Sequence, residues 1–473
     1  MNSEEIQAIN RSIFWEETSK EGAWQALESY YLFSKKTFPQ NAKKELLNLL
    51  EKAEGTLNAA RFEVKTVKAA WIQALQSAYA SQLTGRYRWE KSQVLADHIA
   101  LLEGILSADE EFQLLSTVAI NKGQKAVLFL QSSTFETLDY LTYYHQFLQP
   151  FLQAIDEDAT SIFALSTYQK SLSEEEQTIK KLGQLLFFEP LLSGNDKRTC
   201  ASCHKPQKAF SDGRRTSQAF KLTQNLDRNA PTLINATFTR KFGHGLEKEN
   251  LATQINFVFH SEAEMNTNYS EILQKLTAIP AYQQYFSDAF PRHPVIDSTN
   301  VLIALKVFCE QLNDLNAPFD QFIREENTLS PEAQQGFNLF MGKAQCGTCH
   351  SPPFFSGYDA FGRIDDFQRG HLGESSKDAG VGGEFAHFYK VPTLRNLDYT
   401  SPYFHNGQAN DKAILWKTIF SSTSTPSLSL EEQQQITAFL EALNHNPFYE
   451  MEALTVLPSA DDGTASRRSG GSY

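Results

Sequence analysis

Two pentapeptides constrain this chain more than any other feature: Cys200-Ala-Ser-Cys203-His204 and Cys346-Gly-Thr-Cys349-His350. With 5 cysteines and 11 histidines in 473 residues, chance placement gives on the order of 10^-3 matches to C-x-x-C-H. Two matches therefore point to two covalently attached c-type haems, each bonded through a cysteine pair with the motif histidine beside it. A four-cysteine zinc site is the weaker reading, because the pairs lie about 140 residues apart where zinc modules use short gaps. A redox C-x-x-C would sit between a strand and a helix, whereas Cys200 follows the turn-rich Leu192-Ser-Gly-Asn-Asp. The fifth cysteine, Cys309, lies in an apolar run and reads as a buried thiol acting as a small hydrophobe.

Composition narrows the class. Hydrophobic residues are 41% and charged residues 21% of the chain, which excludes collagen-like and wholly disordered proteins. The net charge of −13 argues against nucleic acid as a ligand and favours neutral substrates or basic partners. No apolar run approaches the roughly 18 residues a spanning helix needs. The opening Met1-Asn-Ser-Glu-Glu has neither the basic nor the apolar region of a secretory signal. Because C-x-x-C-H haem attachment follows export, a periplasmic location is expected, with the signal absent from this chain.

Proline divides the chain into two regimes. Only Pro39 and Pro150 precede residue 190, and the other 15 of the 17 prolines follow. Long proline-free stretches with Leu57, Ala60, Val64, Val67 and Trp71 at helical spacing predict an all-α N-terminal extension over 1–170, a bundle of about five helices. A capping box at Ser173-Glu-Glu-Glu176 and a second helix start at Ser330-Pro331-Glu332 then open two similar stretches. Gly183-x-x-Leu186-Phe187 and Gly336-x-x-Leu339-Phe340 precede the two haem motifs. Pro231-Thr-Leu-Ile-Asn235 and Pro392-Thr-Leu-Arg-Asn396 follow them, each with a histidine nine residues later, His244 and His405. The expected fold is therefore mainly α: an N-terminal helical bundle, then two tandem cytochrome c-like helical domains over 171–329 and 330–450. The glycine-rich stretch between the second motif and Pro392 reads as a loop, and 451–473 reads as a disordered tail.

Over about 175–450 the sequence resembles the bacterial dihaem cytochrome c peroxidases, a family that includes the MauG-type oxidases. The likeness rests on Leu186 to Gly194, Cys200 to Gly213, Arg228 to Asn235, Gln254 to Met265, Lys390 to Asn396 and Ser401 to Gly407. It implies His204 and His350 as iron ligands, with hydrogen peroxide reacting at the first haem and the second haem taking electrons from a small cytochrome or other donor. It also implies Glu264 as the acid/base beside Gln254, and a calcium ion held by Asn229, Thr400 and Pro402. Members are often homodimers.

Three departures from the family pattern qualify the expected activity. The distal histidine about 16 residues after the first motif histidine is missing, so the first haem is expected to be open at rest, as in MauG-like members. The interhaem tryptophan is replaced by His244, expected either to pack at the repeat interface or to serve a redox or distal-pocket role at the haem. Ile419 stands where the second haem's distal methionine or tyrosine would fall, with His371 or His387 as substitutes. The leading expectation is a peroxidase reducing hydrogen peroxide to water. The rivals are a MauG-like oxidase of a partner protein's aromatic residues and a nonenzymatic dihaem electron carrier or sensor.

Overall fold

The structure is a computed structural model that describes residues 64–83, 92–167, 171–221, 223–239, 242–243, 248, 250–357, 367–369, 380–382, 385–386, 388–422 and 426–451. His244, His371, His387 and all of 452–473 lie outside the described residues. Among those described the chain is mainly helical and falls into two compact units.

The first unit holds residues 64–132 and Pro150–Ala159. Its helices are Val64–Ser77, which runs into a π turn at Ala78–Gln82, then Ser92–Phe112 and Thr117–Gln131. Ser116 starts the last of these by accepting the Ala119 amide at 3.2 Å. Leu75, Tyr79, Leu102, Ala126 and Leu152 are buried in this unit. Gly123 sits in tight packing, since a Cβ there would lie 2.9 Å from the end of the Leu106 side chain and 3.0 Å from the Phe151 ring.

The second unit contains both haem motifs, and its internal duplication is visible in matching contacts. The Glu174–Phe187 helix crosses Ser298–Glu310, and Pro331–Met341 crosses Leu430–Glu441. Both crossings depend on the repeated glycine: a Cβ on Gly183 would lie 1.9 Å from the Ala304 carbonyl, and one on Gly336 1.9 Å from that of Gln435. The asparagines ending the two Pro-Thr-Leu segments are both left-handed, at φ 62° for Asn235 and 65° for Asn396. Each ties down the chain beyond its partner helix. Asn235 accepts from the Asp314 amide and Asn396 from the His445 amide, both at 2.8 Å. These two anchored residues also meet each other, with His445 Nδ1 3.0 Å from the Asp314 carboxylate.

Two features were not apparent from periodicity. Residues Ser133–Gln149 belong to the second unit. Asn338, on the helix ahead of the second haem motif, accepts from the Leu141 amide at 3.3 Å and donates to Asp139 at 2.9 Å, while the Tyr140 ring packs close to Gly342. The glycine-rich stretch read as a loop also contains short antiparallel pairs, Phe367–Arg369 with Phe388–Lys390 and Gly380–Gly382 with Phe385–Ala386.

The copies differ at the fourth residue of Pro-Thr-Leu-x-Asn. Ile234 is buried among apolar side chains in the first. In the second, Arg395 forks onto Asp320 at 2.7 and 2.8 Å and donates to the Pro353 carbonyl, with Asp320 wholly buried. Replacing Arg395 with Met leaves that carboxylate unpaired, which should lower stability by about 3–5 kcal/mol. Denaturant unfolding of the haem-loaded protein measures this, and most of the loss should return in an Asp320→Leu/Arg395→Met double variant, where no buried charge remains.

Candidate haem and peroxide site

Each C-x-x-C-H folds as one 3-10 turn, Cys200–Ser202 and Cys346–Thr348. The turn closes with the histidine amide donating to the first cysteine's carbonyl, at 3.0 Å for His204 and 2.9 Å for His350. That spacing brings two thiols and an imidazole to one side of a short helical turn, as attachment to a single porphyrin edge demands. No disulfide joins the cysteines. Desolvation, reinforced by the neighbouring thiol, pushes Cys200 and Cys346 each up to about 12.

The motif histidines are held through Nδ1. His204 donates to the Phe210 carbonyl at 2.8 Å. His350 lies 3.0 Å from the Pro392 carbonyl and 3.2 Å from that of Phe355. A carbonyl can only accept, so Nδ1 carries the proton and Nε2 is the nitrogen that would face iron. Phe210 and Phe355 turn their carbonyls inward from left-handed conformations, φ 56° and 47°. Burial lowers the His204 pKa, against the Phe210 carbonyl and the charge of Asp212, and so favours the neutral ligand form. Asp212 Oδ2, beside Cys203, and Gln254 Oε1 are buried oxygens without a hydrogen-bond partner among the described residues, as a site completed by a bound group would leave them. These features fit a bound haem at each motif.

Gln254 lies on the Leu251–His260 helix, capped by Asn250. Glu264 follows that helix on a tight turn, its amide donating to the Ser261 carbonyl at 3.0 Å. The Glu264 side chain is half-buried, whereas Glu262, the rival carboxylate by sequence, is exposed. Burial raises the Glu264 pKa, and the positive charges of Arg198 and Lys248 pull it back. The charge of Glu264 in turn helps to raise the Cys203 thiol, which is otherwise raised mainly by burial. A shallow cleft beside Cys203 is bordered by Asn195, Arg198, Asp212, Arg214 and Gln218.

The remaining sequence expectations are placed unevenly. Asn229 and Pro402 do meet, the Asn229 amide lying 3.3 Å from the Pro402 carbonyl and 2.7 Å from that of Phe404. Thr400 is two residues from Pro402, with its hydroxyl on the Asn396 carbonyl at 3.2 Å. Cys309 is buried, as read. Met265 is also buried, inside the first copy's apolar cluster. Ile419, on the Lys412–Phe420 helix, offers no ligand atom. Sequence reasoning missed Arg198, whose partners are 20 and 66 residues away. It also missed the stacked rings of Phe238 and Phe354, centroids 4.6 Å apart, which join the first copy to the second haem loop.

Comparison with known proteins identifies the family. The family model described as di-haem cytochrome c peroxidase matches residues 175–328. The methylamine utilization protein MauG of Methylorubrum extorquens is 32% identical over 282 residues, covering 56% of this chain and 78% of that protein. The cytochrome c551 peroxidase of Nitrosomonas europaea is 30% identical over 302 residues, covering 62% and 88% respectively. Among solved structures, a MauG-like protein associated with microbial copper homeostasis shares the fold with a TM-score of 0.52 at 22% identity, over 59% of this chain and 92% of its own. With two C-x-x-C-H turns, two matching histidine supports and relatives aligned over most of their length, this chain belongs to the dihaem cytochrome c peroxidase family and carries two covalently bound c-type haems.

Proposed function

We propose that this protein reduces hydrogen peroxide to water at the haem of Cys200, Cys203 and His204, with electrons entering through the haem of Cys346, Cys349 and His350. Haem iron, when bound, supplies the coordination position for peroxide and the redox equivalents that cleave its O–O bond. The Glu264 carboxylate takes the proton from the inner peroxide oxygen and delivers it to the outer one, which leaves as water. Two electrons from the donor and two further protons complete the reduction to two waters. Gln254, with an uncommitted amide oxygen, orients the peroxide O–H. The half-buried Glu264 carboxyl, raised by burial close to the haem-attachment turn, is the observation that carries this reading. A raised pKa lets one carboxyl both accept and return a proton.

A specific feature favours MauG-like oxidation of a partner protein as the second reading. Sixteen residues beyond His204 stands Phe220, whose amide is spent on the Ala263 carbonyl at 2.7 Å, so no histidine is available there to close the first iron. Either way, the acidic chain suits a basic protein partner, a small cytochrome in the leading reading. A periplasmic location accords with haem attachment to C-x-x-C-H. A calcium ion held by Asn229 and the carbonyls of Thr400 and Pro402 would join the two copies. The Asn229 amide would then turn its oxygen toward the ion, a flip that exchanges donor for acceptor without moving the backbone.

Glu264→Gln should reduce the rate of reaction with peroxide by about 10²- to 10⁴-fold while leaving both haems attached, as stopped-flow absorbance and haem quantification would show. The base form is needed at the outset, so wild-type activity should fall as pH drops through the raised carboxyl pKa, and the variant should lack that acidic limb. Reaction of the variant at the full rate removes Glu264 from the mechanism. Prompt reaction of the fully oxidised protein with peroxide, without prior reduction, is expected of an open first haem. Removing calcium with EGTA should lower the thermal midpoint and restoring calcium should recover it, with Asn229→Ala insensitive to both. A midpoint indifferent to EGTA excludes the ion.

A further inference from the structure

Arg198 is a nearly buried guanidinium, 6% exposed, whose hydrogen bonds all go to backbone carbonyls. It lies two residues ahead of Cys200. Nη1 donates to the peptide carbonyl of Glu264 at 3.1 Å, and Nη2 donates to the carbonyl of Gln218. Its own amide is fixed by Ser193 Oγ at 3.2 Å and Asn195 Oδ1 at 3.3 Å. The turn carrying it is pinned to the Glu264 segment a second time, where the Gly194 amide donates to the Met265 carbonyl at 3.0 Å. Gly194 permits this approach, since a Cβ there would lie 2.2 Å from the Asn266 carbonyl. Three separate stretches, 193–198, 218–220 and 263–266, thus converge on one cation.

No carboxylate is hydrogen-bonded to Arg198 among the described residues, although burying a guanidinium costs several kcal/mol without compensation. The charge is instead held where it acts on Glu264 and on the Cys203 thiol. We infer that Arg198 is the positioning residue of the peroxide site: its planar fork fixes the backbone that carries Glu264, and its charge sets the protonation state from which Glu264 works. This rests on the acid/base role proposed for Glu264. Lys248, from the segment ahead of the Leu251–His260 helix, also acts on that carboxyl, while Glu262 on its own turn is exposed. The Lys248 ammonium lies over the Phe257 ring at 4.0 Å. Arg198 couples its charge to the Glu264 backbone through the bond to that residue's carbonyl.

The test uses the full haem-loaded chain with Arg198→Gln and Arg198→Lys, read in two ways. The first is infrared titration of the Glu264 carboxyl, its band assigned by loss in Glu264→Gln. The second is the pH profile of kcat/KM with peroxide. Arg198→Gln should move both the carboxyl titration and the acidic limb upward by roughly one pH unit. Arg198→Lys should keep the titration near wild type, because the charge remains. It should nevertheless lower the plateau by roughly ten- to a hundredfold, because an ammonium cannot fork between two carbonyls. Wild-type titration and plateau in both variants overturn the inference. If Arg198→Gln fails to take up haem, the lysine variant decides, and an undiminished plateau there refutes the fork. A fully active Glu264→Gln instead refutes the proposed mechanism, and the infrared titration still reports whether Arg198 controls that carboxyl.

Discussion

Both haem-binding copies depend on one hydrogen bond, from imidazole Nδ1 to a carbonyl turned inward by a left-handed phenylalanine. Iron takes one nitrogen of the ring, so the other must be occupied and the tautomer settled before the metal can be held in a fixed orientation. The bond from His204 to Phe210 and those from His350 to Phe355 and Pro392 do this. They also dictate the neighbouring structure. A phenylalanine with positive φ is costly, and here it is held by threonines from the Pro-Thr-Leu segments. Thr232 donates to the Ala209 carbonyl and Thr393 to that of Phe354, the latter at 2.7 Å. The repeated Pro-Thr-Leu-x-Asn is thus the brace of the histidine turn, and its asparagine carries the constraint onward to the second helix pair.

The same frame supports two different sites. In the second copy the residue after Pro-Thr-Leu is Arg395, and its ion pair with buried Asp320 binds the haem loop to the Pro318–Ile323 helix. Arg395 also lies over the Phe355 ring at 5.4 Å. In the first copy that position is apolar, and the buried arginine has moved to residue 198, ahead of the haem motif and facing the Glu264 turn. One copy therefore uses its guanidinium to stiffen the haem loop, and the other places it where it acts on the half-buried Glu264 carboxyl. This asymmetry accords with electron storage in one copy and peroxide chemistry in the other.

Much of this was legible in the chain. The C-x-x-C-H frames identify the haems, and the glycine, proline and asparagine positions that repeat around them mark the duplication because each meets a backbone requirement local to a few residues. Glu264 was reached through resemblance, since charge alone could not separate it from Glu262; the folded chain makes the two differ in burial. Two placements were not legible. Residues Ser133–Gln149 carry no break in sequence from the rest of the N-terminal region, and tertiary contacts such as those with Asn338, Phe322 and Glu325 assign them to the haem-bearing unit. Arg198 reads as an ordinary surface cation, because its partners are carbonyls and carry no side-chain signature.

The sequence by itself determined the cofactor, the helical class and the tandem arrangement, because thioether attachment, helix caps and close glycine crossings are short-range requirements written in residue type and spacing. Tertiary structure alone decided which carboxylate is desolvated and which cation faces it. It also decided which carbonyls of one copy meet the Asn229 amide of the other. Those are properties of backbone atoms and of burial, which every residue can supply and which only the folded chain brings together.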